Sequence, residues 1–176
     1  MKDNFVAMPA GGLIVDMGAN VGNFSVMALA SHHDNRVIAV EANENLSAAF
    51  WDQMDLNDFP KNRIILDNFF LGNIGKKQEE MIVSMGLDSV ETVSLEKFFS
   101  MHDISRINLL KCDIEGGEFG LFSEGLLLEK IDQIVMEVHY AFGDKDKLFS
   151  ELRKGGFSIR INRETNSDCV LSAKKY

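Results

Sequence analysis

The sequence predicts a doubly wound α/β domain of three layers, in which a mostly parallel sheet lies between two layers of helices. Apolar runs of strand length alternate with amphipathic runs of helix length, which is typical of parallel strands joined by helical crossovers. The last two strand patterns are separated only by Arg163–Asp168, which is too short for a crossover helix, so they should pair as an antiparallel hairpin. A chain of 176 residues is long enough for one substantial core. We expect a single domain over residues 1–176, with residues 1–12 as a short extension.

In the first half of the chain, each predicted strand is centred on an apolar run and each helix follows a polar or glycine-bearing turn. The predicted elements are a strand at Leu13–Met17, a helix at Val21–Ser31, a strand at Arg36–Glu41, a helix at Leu46–Asn57 and a strand at Asn62–Phe70. Gly72, Gly75 and the charged run Lys76–Glu80 then predict an exposed loop, which ends in a short strand at Met81–Ser84.

The second half continues the same alternation and ends in the hairpin. The elements are a segment Thr92–Leu95 leading into a short helix through Met101, a strand at Ile107–Ile114, a helix at Glu118–Leu128, a strand at Gln133–His139, a helix at Lys145–Lys154, and strands at Phe157–Asn162 and Cys169–Lys175. Gly155 and Gly156 mark the end of the last helix. Ile107–Ile114 is apolar enough to be a central strand.

Composition excludes several classes of protein. The chain has 27 acidic and 18 basic residues, a formal charge of −9, which opposes binding to a nucleic-acid backbone. No apolar stretch is long enough to span a bilayer, and Met1–Gly12 lacks the apolar core of a signal peptide. Cys112 and Cys169 lie in apolar strand patterns without metal-ligand spacing, so we expect buried, reduced thiols. These features favour a cytoplasmic protein that binds neither nucleic acid nor membrane.

The turn after the first predicted strand has the composition of a cofactor-binding loop. Asp16 is followed by Gly18 and Gly22, four residues apart, directly before a predicted helix. Ligands of doubly wound sheets bind at the carboxyl ends of the strands. Gly18 would let the backbone approach a ligand, and Gly22 would let the helix pack closely. A tight turn without a ligand is the alternative interpretation of the two glycines alone.

The charge at this turn separates two cofactor classes. A dinucleotide-binding loop has the spacing Gly-x-Gly-x-x-Gly and receives an anionic pyrophosphate, whereas here Asn20 replaces the middle glycine and Asp16 adds a negative charge. A cationic ligand such as a methionyl sulfonium fits better. Glu41, nineteen residues after Gly22, ends the second strand, where its carboxylate can accept hydrogen bonds from both ribose hydroxyls.

Two further strand ends carry ionisable side chains. Lys111, Asp113 and Glu115 share one side of an extended chain, and Glu137 and His139 repeat this arrangement at the end of the next strand. Burying such charges without partners would be costly, so we expect them at a catalytic rim. A Lys–Asp ion pair beside an exposed histidine is the alternative interpretation. The acids and His139 would also suit a divalent metal, but we favour a site without metal. Cys112 points to the opposite side of the strand from Lys111 and Asp113, which places it in the core.

At these residues the sequence closely resembles the FkbM family of methyltransferases over about residues 13 to 175. Lys-x-Asp-x-Glu-Gly is the most specific part of the resemblance. The matching segments, in family order, are Val15-Asp16-Met17-Gly18-Ala19-Asn20-Val21-Gly22-Asn23, Val37-Ile38-Ala39-Val40-Glu41-Ala42-Asn43, Thr92-Val93-Ser94-Leu95, Leu110-Lys111-Cys112-Asp113-Ile114-Glu115-Gly116-Gly117-Glu118 and Glu137-Val138-His139.

The resemblance implies a seven-stranded Rossmann-like sheet, S-adenosylmethionine as the methyl donor, and a hydroxyl oxygen of a sugar, polyketide or other small metabolite as the acceptor. It places Asp16–Asn23, including Ala19 and Asn20, beside the methionyl group of the cofactor. Glu41 and its neighbour Ala42 would lie at the ribose, Asn68 and Phe69 near the adenine, and Asp113 near the sulfonium.

The resemblance is incomplete at the N-terminus, because family members commonly carry further elements that cover the pocket. Met1–Gly12 is too short to replace them. We therefore expect an open site, a truncated chain, or a partner or second copy that covers this side.

Our leading hypothesis is an O-methyltransferase. A bound hydroxyl would attack the methyl group in line, with His139 as the preferred general base and Asp113 or Glu115 orienting the acceptor or replacing that base. An NAD-dependent oxidoreductase and a non-catalytic S-adenosylmethionine-binding module are the alternatives.

Overall fold

The computed structural model describes residues 5–72, 75–122 and 128–176. The strands are β1 (Gly12–Met17), β2 (Asn35–Val40), β3 (Ile64–Asp67), β4 (Phe70–Leu71), β5 (Thr92–Val93), β6 (Leu109–Cys112), β7 (Gln133–His139), β8 (Ser158–Glu164) and β9 (Asp168–Lys174). The α-helices are α1 (Asn23–Ser31), α2 (Ser47–Leu56), α3 (Lys76–Ser84), α4 (Leu95–Met101), α5 (Glu118–Leu121) and α6 (Lys145–Lys154).

The main sheet has seven strands in the order β3-β2-β1-β6-β7-β9-β8. Strands β3, β2, β1, β6 and β7 are parallel to one another, and β9 runs antiparallel between β7 and β8. This confirms the predicted mostly parallel sheet with an antiparallel C-terminal hairpin. The chain winds outward in one direction from β1 to β3 and in the other from β6, so the carboxyl ends of β1 and β6 border the crevice where such folds bind ligands.

Two buried apolar clusters lie on opposite faces of the sheet and account for the three layers. One cluster contains residues of α1 and α2, such as Leu29 and Phe50, and the other contains residues of α4 and α6, such as Phe98 and Leu152. Successive residues of a strand point to opposite faces, so Val15 belongs to the second cluster while its neighbour Asp16 points toward α1.

The prediction for the segment between β3 and β5 was wrong in two respects. Met81–Ser84, expected to be a strand, is the last part of helix α3, whose buried residues Gln78 and Ile82 are one helical turn apart. The charged run Lys76–Glu80, expected to be a loop, supplies most of the exposed face of that helix. The strand expected over Asn62–Phe70 is divided, because β4 pairs with β5 in a separate two-stranded parallel sheet.

The remaining predicted elements are present with shifted ends. The helix expected over Glu118–Leu128 is described as α5 and a 3-10 turn at Leu128–Lys130, and residues 123–127 of the prediction lie outside the described residues. Among the helices that the structure describes, none has the length and apolar character needed to cross a membrane.

Candidate functional site

A cavity of about 560 Å³ opens at the carboxyl ends of β1, β2 and β6. Polar and small residues at the ends of these strands form one side of it. They are Gly18, Ala19, Asn20, Asn23, Glu41, Ala42, Asn43, Lys111, Asp113 and Glu115. The cavity is therefore where the topology of the sheet predicts a ligand, and it gathers most of the residues that the sequence indicated.

The turn from Gly18 to Gly22, which we call the β1–α1 loop, is held mainly by its backbone. Gly18, Asn20 and Gly22 have positive φ angles of 75°, 50° and 89°. The amides of Gly18 and Ala19 both donate to the carbonyl oxygen of Val40, at 2.9 and 3.0 Å. These bonds fasten the loop to the end of β2 and expose its inner surface to the cavity.

The two glycines of this loop are required for different contacts. A Cβ on Gly18 would lie 1.8 Å from the carbonyl oxygen of Asp113, so the loop touches the backbone that follows β6. A Cβ on Gly22 would lie 2.8 Å from the ring of Phe50 and from the methyl group of Met54. Gly22 therefore allows helices α1 and α2 to approach closely, as expected. Gly18 lines the cavity, but its missing side chain makes room for protein backbone as well.

A buried ion pair lies beneath the loop. The Lys111 ammonium is 3.4 Å from Oδ1 of Asp16 and donates to the carbonyl oxygens of Gly18 at 2.6 Å and Met17 at 3.3 Å. Ser25 donates to Oδ2 of Asp16 at 2.7 Å. Burial raises the pKa of Asp16, and the charge of Lys111 counteracts this by lowering it. Because Asp16 is fully buried, it supports the loop from below and does not contact the cavity.

Glu41 connects the loop to the end of β2. One of its carboxylate oxygens accepts a hydrogen bond from the Asn20 amide at 2.8 Å, and the other accepts from the Asn43 amide at 2.9 Å. Each carboxylate oxygen can accept a second hydrogen bond. The side chain lines the cavity with this remaining capacity to accept hydrogen bonds.

The two residues expected at an adenine are placed differently. Phe69 is buried and lines the cavity. The Asn68 side chain donates to the Glu41 carbonyl oxygen at 2.9 Å and to Ser47 at 3.0 Å, and it does not line the cavity. Asn68 therefore braces the turn after β3 against the end of β2.

Asp113, Glu115 and His139 form what we call the acid–histidine cluster. One potential ligand atom from each of these side chains lies within 4.8 Å of the other two. His139 Nε2 is 3.6 Å from a carboxylate oxygen of Glu115, and Asp113 is 3.8 Å from the Lys111 ammonium. Asp113 and Glu115 also line the cavity. The predicted meeting of neighbouring strand ends is thus observed for these three residues.

A buried carboxylate lies behind His139. Glu118 is fully buried, and its Oε1 lies 3.3 Å from His139 Nδ1 and also accepts the Ile114 amide at 3.3 Å. The pKa of His139 is raised to about 9, first by the hydrogen bond to Glu118 and further by the charges of Glu115 and Asp113. His139 is therefore protonated at neutral pH. The general-base hypothesis assumed an imidazole with its ordinary pKa.

The sequence matches the Methyltransferase FkbM domain over residues 16–159. The chain belongs to this family. It is an S-adenosylmethionine-dependent methyltransferase, and S-adenosylmethionine is its cofactor. No curated protein sequence matches it.

Solved structures of methyltransferases share the fold of this FkbM-family chain. Precorrin-6y C5,15-methyltransferase from Geobacter metallireducens GS-15 has a TM-score of 0.60 at 12% identity, over 94% of this chain and 81% of that one. The ribosomal protein L11 methylase from Lactobacillus delbrueckii subsp. bulgaricus has a TM-score of 0.60 at 15% identity, over 97% and 73%. The N-terminal domain of EvdMO1, solved with S-adenosylhomocysteine bound, has a TM-score of 0.58 at 16% identity, over 96% and 76%.

Two residues indicated by the sequence lie away from the site of this methyltransferase. Glu137 forms an ion pair with Arg163 at 2.6 Å and does not join the acid–histidine cluster. Glu137 lies on the same side of β7 as His139, but its carboxylate is taken up by Arg163 of the neighbouring hairpin strand. Cys112 is fully buried, and burial raises its pKa well above the ordinary value, which agrees with its assignment to the core.

The sequence did not reveal two parts of the site. Helix α3 supplies an apolar wall through Met81, Ile82 and Met85, which the expectation of a strand concealed. Helical spacing of the apolar residues Met81, Ile82 and Met85 was the available signal. Glu118 was expected as the start of a helix and as the last residue of a segment that resembles the family, without a role in the site. No sequence signal shows that this acid is buried behind His139.

Proposed function

We propose that this methyltransferase acts on a hydroxyl oxygen of a small-molecule acceptor. The observation that carries the proposal is the acid–histidine cluster, which lies at the ends of β6 and β7, with the Asp113 backbone directly beside the β1–α1 loop. Groups that accept protons and hydrogen bonds are thus adjacent to the cofactor loop. Acceptance of a hydroxyl proton and orientation of the hydroxyl oxygen are the tasks that O-methylation requires.

The first part of the proposal assigns the parts of the cofactor to residues at the strand ends. The β1–α1 loop would hold the methionyl group, Glu41 the ribose and Phe69 the adenine, with Ala42 and Asn23 as further contacts. Asp16 would act indirectly, through Lys111, by fixing the position of the loop carbonyls. Asp113, which lies against Gly18 through its backbone, would face the sulfonium and offset its positive charge.

The second part of the proposal concerns how the protein positions the acceptor and removes its hydroxyl proton. S-adenosylmethionine supplies a methyl group, which the acceptor oxygen takes as the carbon–sulfur bond breaks and S-adenosylhomocysteine is left. The hydroxyl proton passes to a group of the acid–histidine cluster. Because the pKa of His139 is about 9, Asp113 or Glu115 is the better proton acceptor in the metal-free cluster at neutral pH, and His139 would hold the acceptor oxygen by donating a hydrogen bond.

The nature of the acceptor is supported by the site and by one related structure. The chain is acidic, with a formal charge of −9, which disfavours a nucleic-acid acceptor. The EvdMO1 domain, 16% identical to this chain, has also been solved in the presence of S-adenosylhomocysteine and D-fucose. The ribosomal protein L11 methylase has the same fold, so the fold alone does not select the acceptor. We favour a sugar or another hydroxylated metabolite.

The test combines cofactor binding with methyl transfer. Calorimetry should show S-adenosylhomocysteine binding to the full chain, and Glu41→Ala should weaken that binding at least about tenfold, since it removes acceptors for the ribose. NAD is the control ligand. A panel of sugars, polyketides and phenols with isotopically labelled methyl donor should then yield an oxygen-bound methyl group, located by NMR. Cofactor binding with no methylated product would favour a non-catalytic binding module, and a methyl group on nitrogen or carbon would contradict the proposal.

His139 can be tested separately. His139→Ala should lower the rate at saturating acceptor and leave affinity for S-adenosylhomocysteine unchanged, because His139 is not among the residues that line the cavity. A full rate in this variant would remove His139 from the mechanism.

A further inference from the structure

We propose that the acid–histidine cluster binds one divalent cation of the Mn²⁺ or Mg²⁺ class, with Asp113, Glu115 and His139 as its protein ligands. The cation site itself is independent of the acceptor, but its role in catalysis rests on the O-methyltransferase function proposed above. The ligand set is one imidazole and two carboxylates, each of which is a recognised ligand for such ions.

The dimensions of the cluster allow a common centre. The three candidate ligand atoms lie within 4.8 Å of one another, and His139 Nε2 is 3.6 Å from Glu115. Adjacent ligands of a six-coordinate ion with bonds of roughly 2.1 Å are about 3 Å apart, so the cluster needs a contraction of up to about 2 Å. The Glu115 side chain is 63% exposed and can make that movement without disturbing the core.

The carboxylate behind His139 is a second, independent observation that points to a cation. The Glu118 carboxylate is fully buried, and the hydrogen bond between its Oε1 and His139 Nδ1 turns the other ring nitrogen, Nε2, toward Glu115. Within the described residues, Oε2 of Glu118 has no hydrogen-bond partner. Histidines that ligate metals usually donate their second N–H to a carboxylate in this way, which fixes both the tautomer and the direction of the ring.

The charges around the cluster also favour a cation. Three carboxylates, those of Asp113, Glu115 and Glu118, lie beside His139. The nearest lysine, Lys111, is committed to Asp16 and to two backbone carbonyls, and it lies 3.8 Å from Asp113. A divalent ion would balance this excess of negative charge, and its binding would displace a proton from His139.

In catalysis the ion would bind the acceptor oxygen at a coordination position that the protein leaves open. The acceptor O–H bond would break with its proton passing to solvent, and the ion would offset the negative charge left on the acceptor oxygen. The acceptor oxygen forms a bond to the methyl carbon as the carbon–sulfur bond breaks, which gives the methyl ether and S-adenosylhomocysteine. This arrangement makes His139 a ligand of the ion, and the ion replaces the carboxylates as the group that activates the hydroxyl.

Mn²⁺ is the probe for the test, because loss of the signal of the free ion in electron paramagnetic resonance measures binding without any acceptor. The chelator-treated full chain, with S-adenosylhomocysteine present, should bind one Mn²⁺. Asp113→Asn and His139→Asn should each weaken binding at least about tenfold, and Glu118→Gln should weaken it roughly 10- to 100-fold. Glu137→Gln is the matched control, since this carboxylate lies on β7 near the cluster but is paired with Arg163, and it should bind Mn²⁺ normally.

Each variant is first checked for its fold by circular dichroism and thermal unfolding, which require neither the ion nor the cofactor. No Mn²⁺ binding by the native chain at millimolar ion, or unchanged binding in folded Asp113→Asn and His139→Asn, would overturn the cation site. Methyl transfer at full rate in chelator would overturn its catalytic role and leave the O-methyltransferase proposal intact. Cluster-dependent Mn²⁺ binding without methylation of any hydroxyl would support the cation site and contradict the O-methyltransferase proposal.

Discussion

The β1–α1 loop and the acid–histidine cluster lie side by side but are built in different ways. The loop is fixed by backbone hydrogen bonds, two glycines and the buried Lys111 ammonium beneath it. The cluster consists of side chains with different exposure, from His139 at 22% to Glu115 at 63%. We infer that the loop, held by its backbone, is the more rigid of the two, whereas the exposed side chains of the cluster have room to adjust.

The largest expected effect comes from Gly18→Ala, which tests the rigidity of the loop. The new Cβ would lie 1.8 Å from a backbone carbonyl oxygen, at a φ of 75°. We expect a loss of more than about 3 kcal/mol in the free energy of unfolding, measured in urea, together with loss of S-adenosylhomocysteine binding.

Gly86→Ala is the control for stability in that experiment. Gly86 has a similar φ of 68°, but a Cβ there meets nothing within 4 Å. Its cost should be only the roughly 1–2 kcal/mol of a left-handed alanine. Equal losses in the two variants would show that the backbone angle, and not the contact with β6, makes glycine necessary at position 18.

A second prediction concerns the ion pair beneath the loop. Lys111→Met leaves Asp16 as a buried carboxylate without its positive partner, so unfolding measurements should show a loss of about 3–5 kcal/mol. The double variant Asp16→Leu/Lys111→Met should recover part of this stability. S-adenosylhomocysteine affinity should not recover with it, because the bond from Lys111 to the Gly18 carbonyl is still missing.

The exposed pair between Lys61 and Asp55 provides the matched comparison. Lys61→Met removes a lysine whose side chain is 66% exposed, and its effect on stability should be slight. Similar losses for Lys61→Met and Lys111→Met would mean that the position beneath the loop gives the ion pair no special importance.

The smallest expected effect concerns the pH dependence of the cluster in metal-free buffer with chelator. Glu118 from α5, Asp113 and Glu115 from the preceding turn, and Asp168 from β9 all act on His139. A folded pKa of about 9, above the ordinary 6.5, means that protonated His139 stabilises the fold fully below pH 6.5. That contribution is lost as the pH rises through 9.

Thermal unfolding measures this effect. The Tm of the native chain should exceed that of His139→Asn by several degrees at pH 6, and the difference should shrink by pH 10. His33→Asn, which alters a side chain that is 82% exposed, is the control and should give a difference that does not vary with pH in this way. A Tm difference for His139→Asn that is constant from pH 6 to pH 10 would contradict the raised pKa.

The same contrast explains what could be predicted from the sequence. Gly18, Gly22 and Glu41 were identifiable because a strand, a tight turn and a second strand end impose residue types at fixed spacings. The meeting of Asp113, Glu115 and His139 followed from the parallel order of neighbouring strands. Burial of a polar side chain leaves no comparable pattern, so the roles of Asp16 beneath the loop and of Glu118 behind His139 required the structure.

The errors have a related cause. Helix α3 was misread because Met81–Ser84 contains three adjacent apolar residues when taken alone, while the helical spacing begins earlier, at Gln78. Glu137 was grouped with His139 by strand parity, but Arg163 of the neighbouring hairpin binds its carboxylate. Parity fixes the side of the sheet to which a residue points and does not specify its partner.

The Val40 carbonyl oxygen accepts two backbone hydrogen bonds, and this has a consequence for redesign. The contacts from Gly18 and Ala19 to Val40, like the bond from the Glu41 amide to the Asp67 carbonyl oxygen, use main-chain atoms that every residue except proline provides. Side chains that do not touch this framework can therefore be exchanged with little effect on its geometry, whereas Gly18, Glu41 and Lys111 must be retained. An attempt to change the substrate range of the enzyme should retain these strand ends and randomise Met81 on α3 and Met85 directly after it, which line the cavity and make none of these bonds.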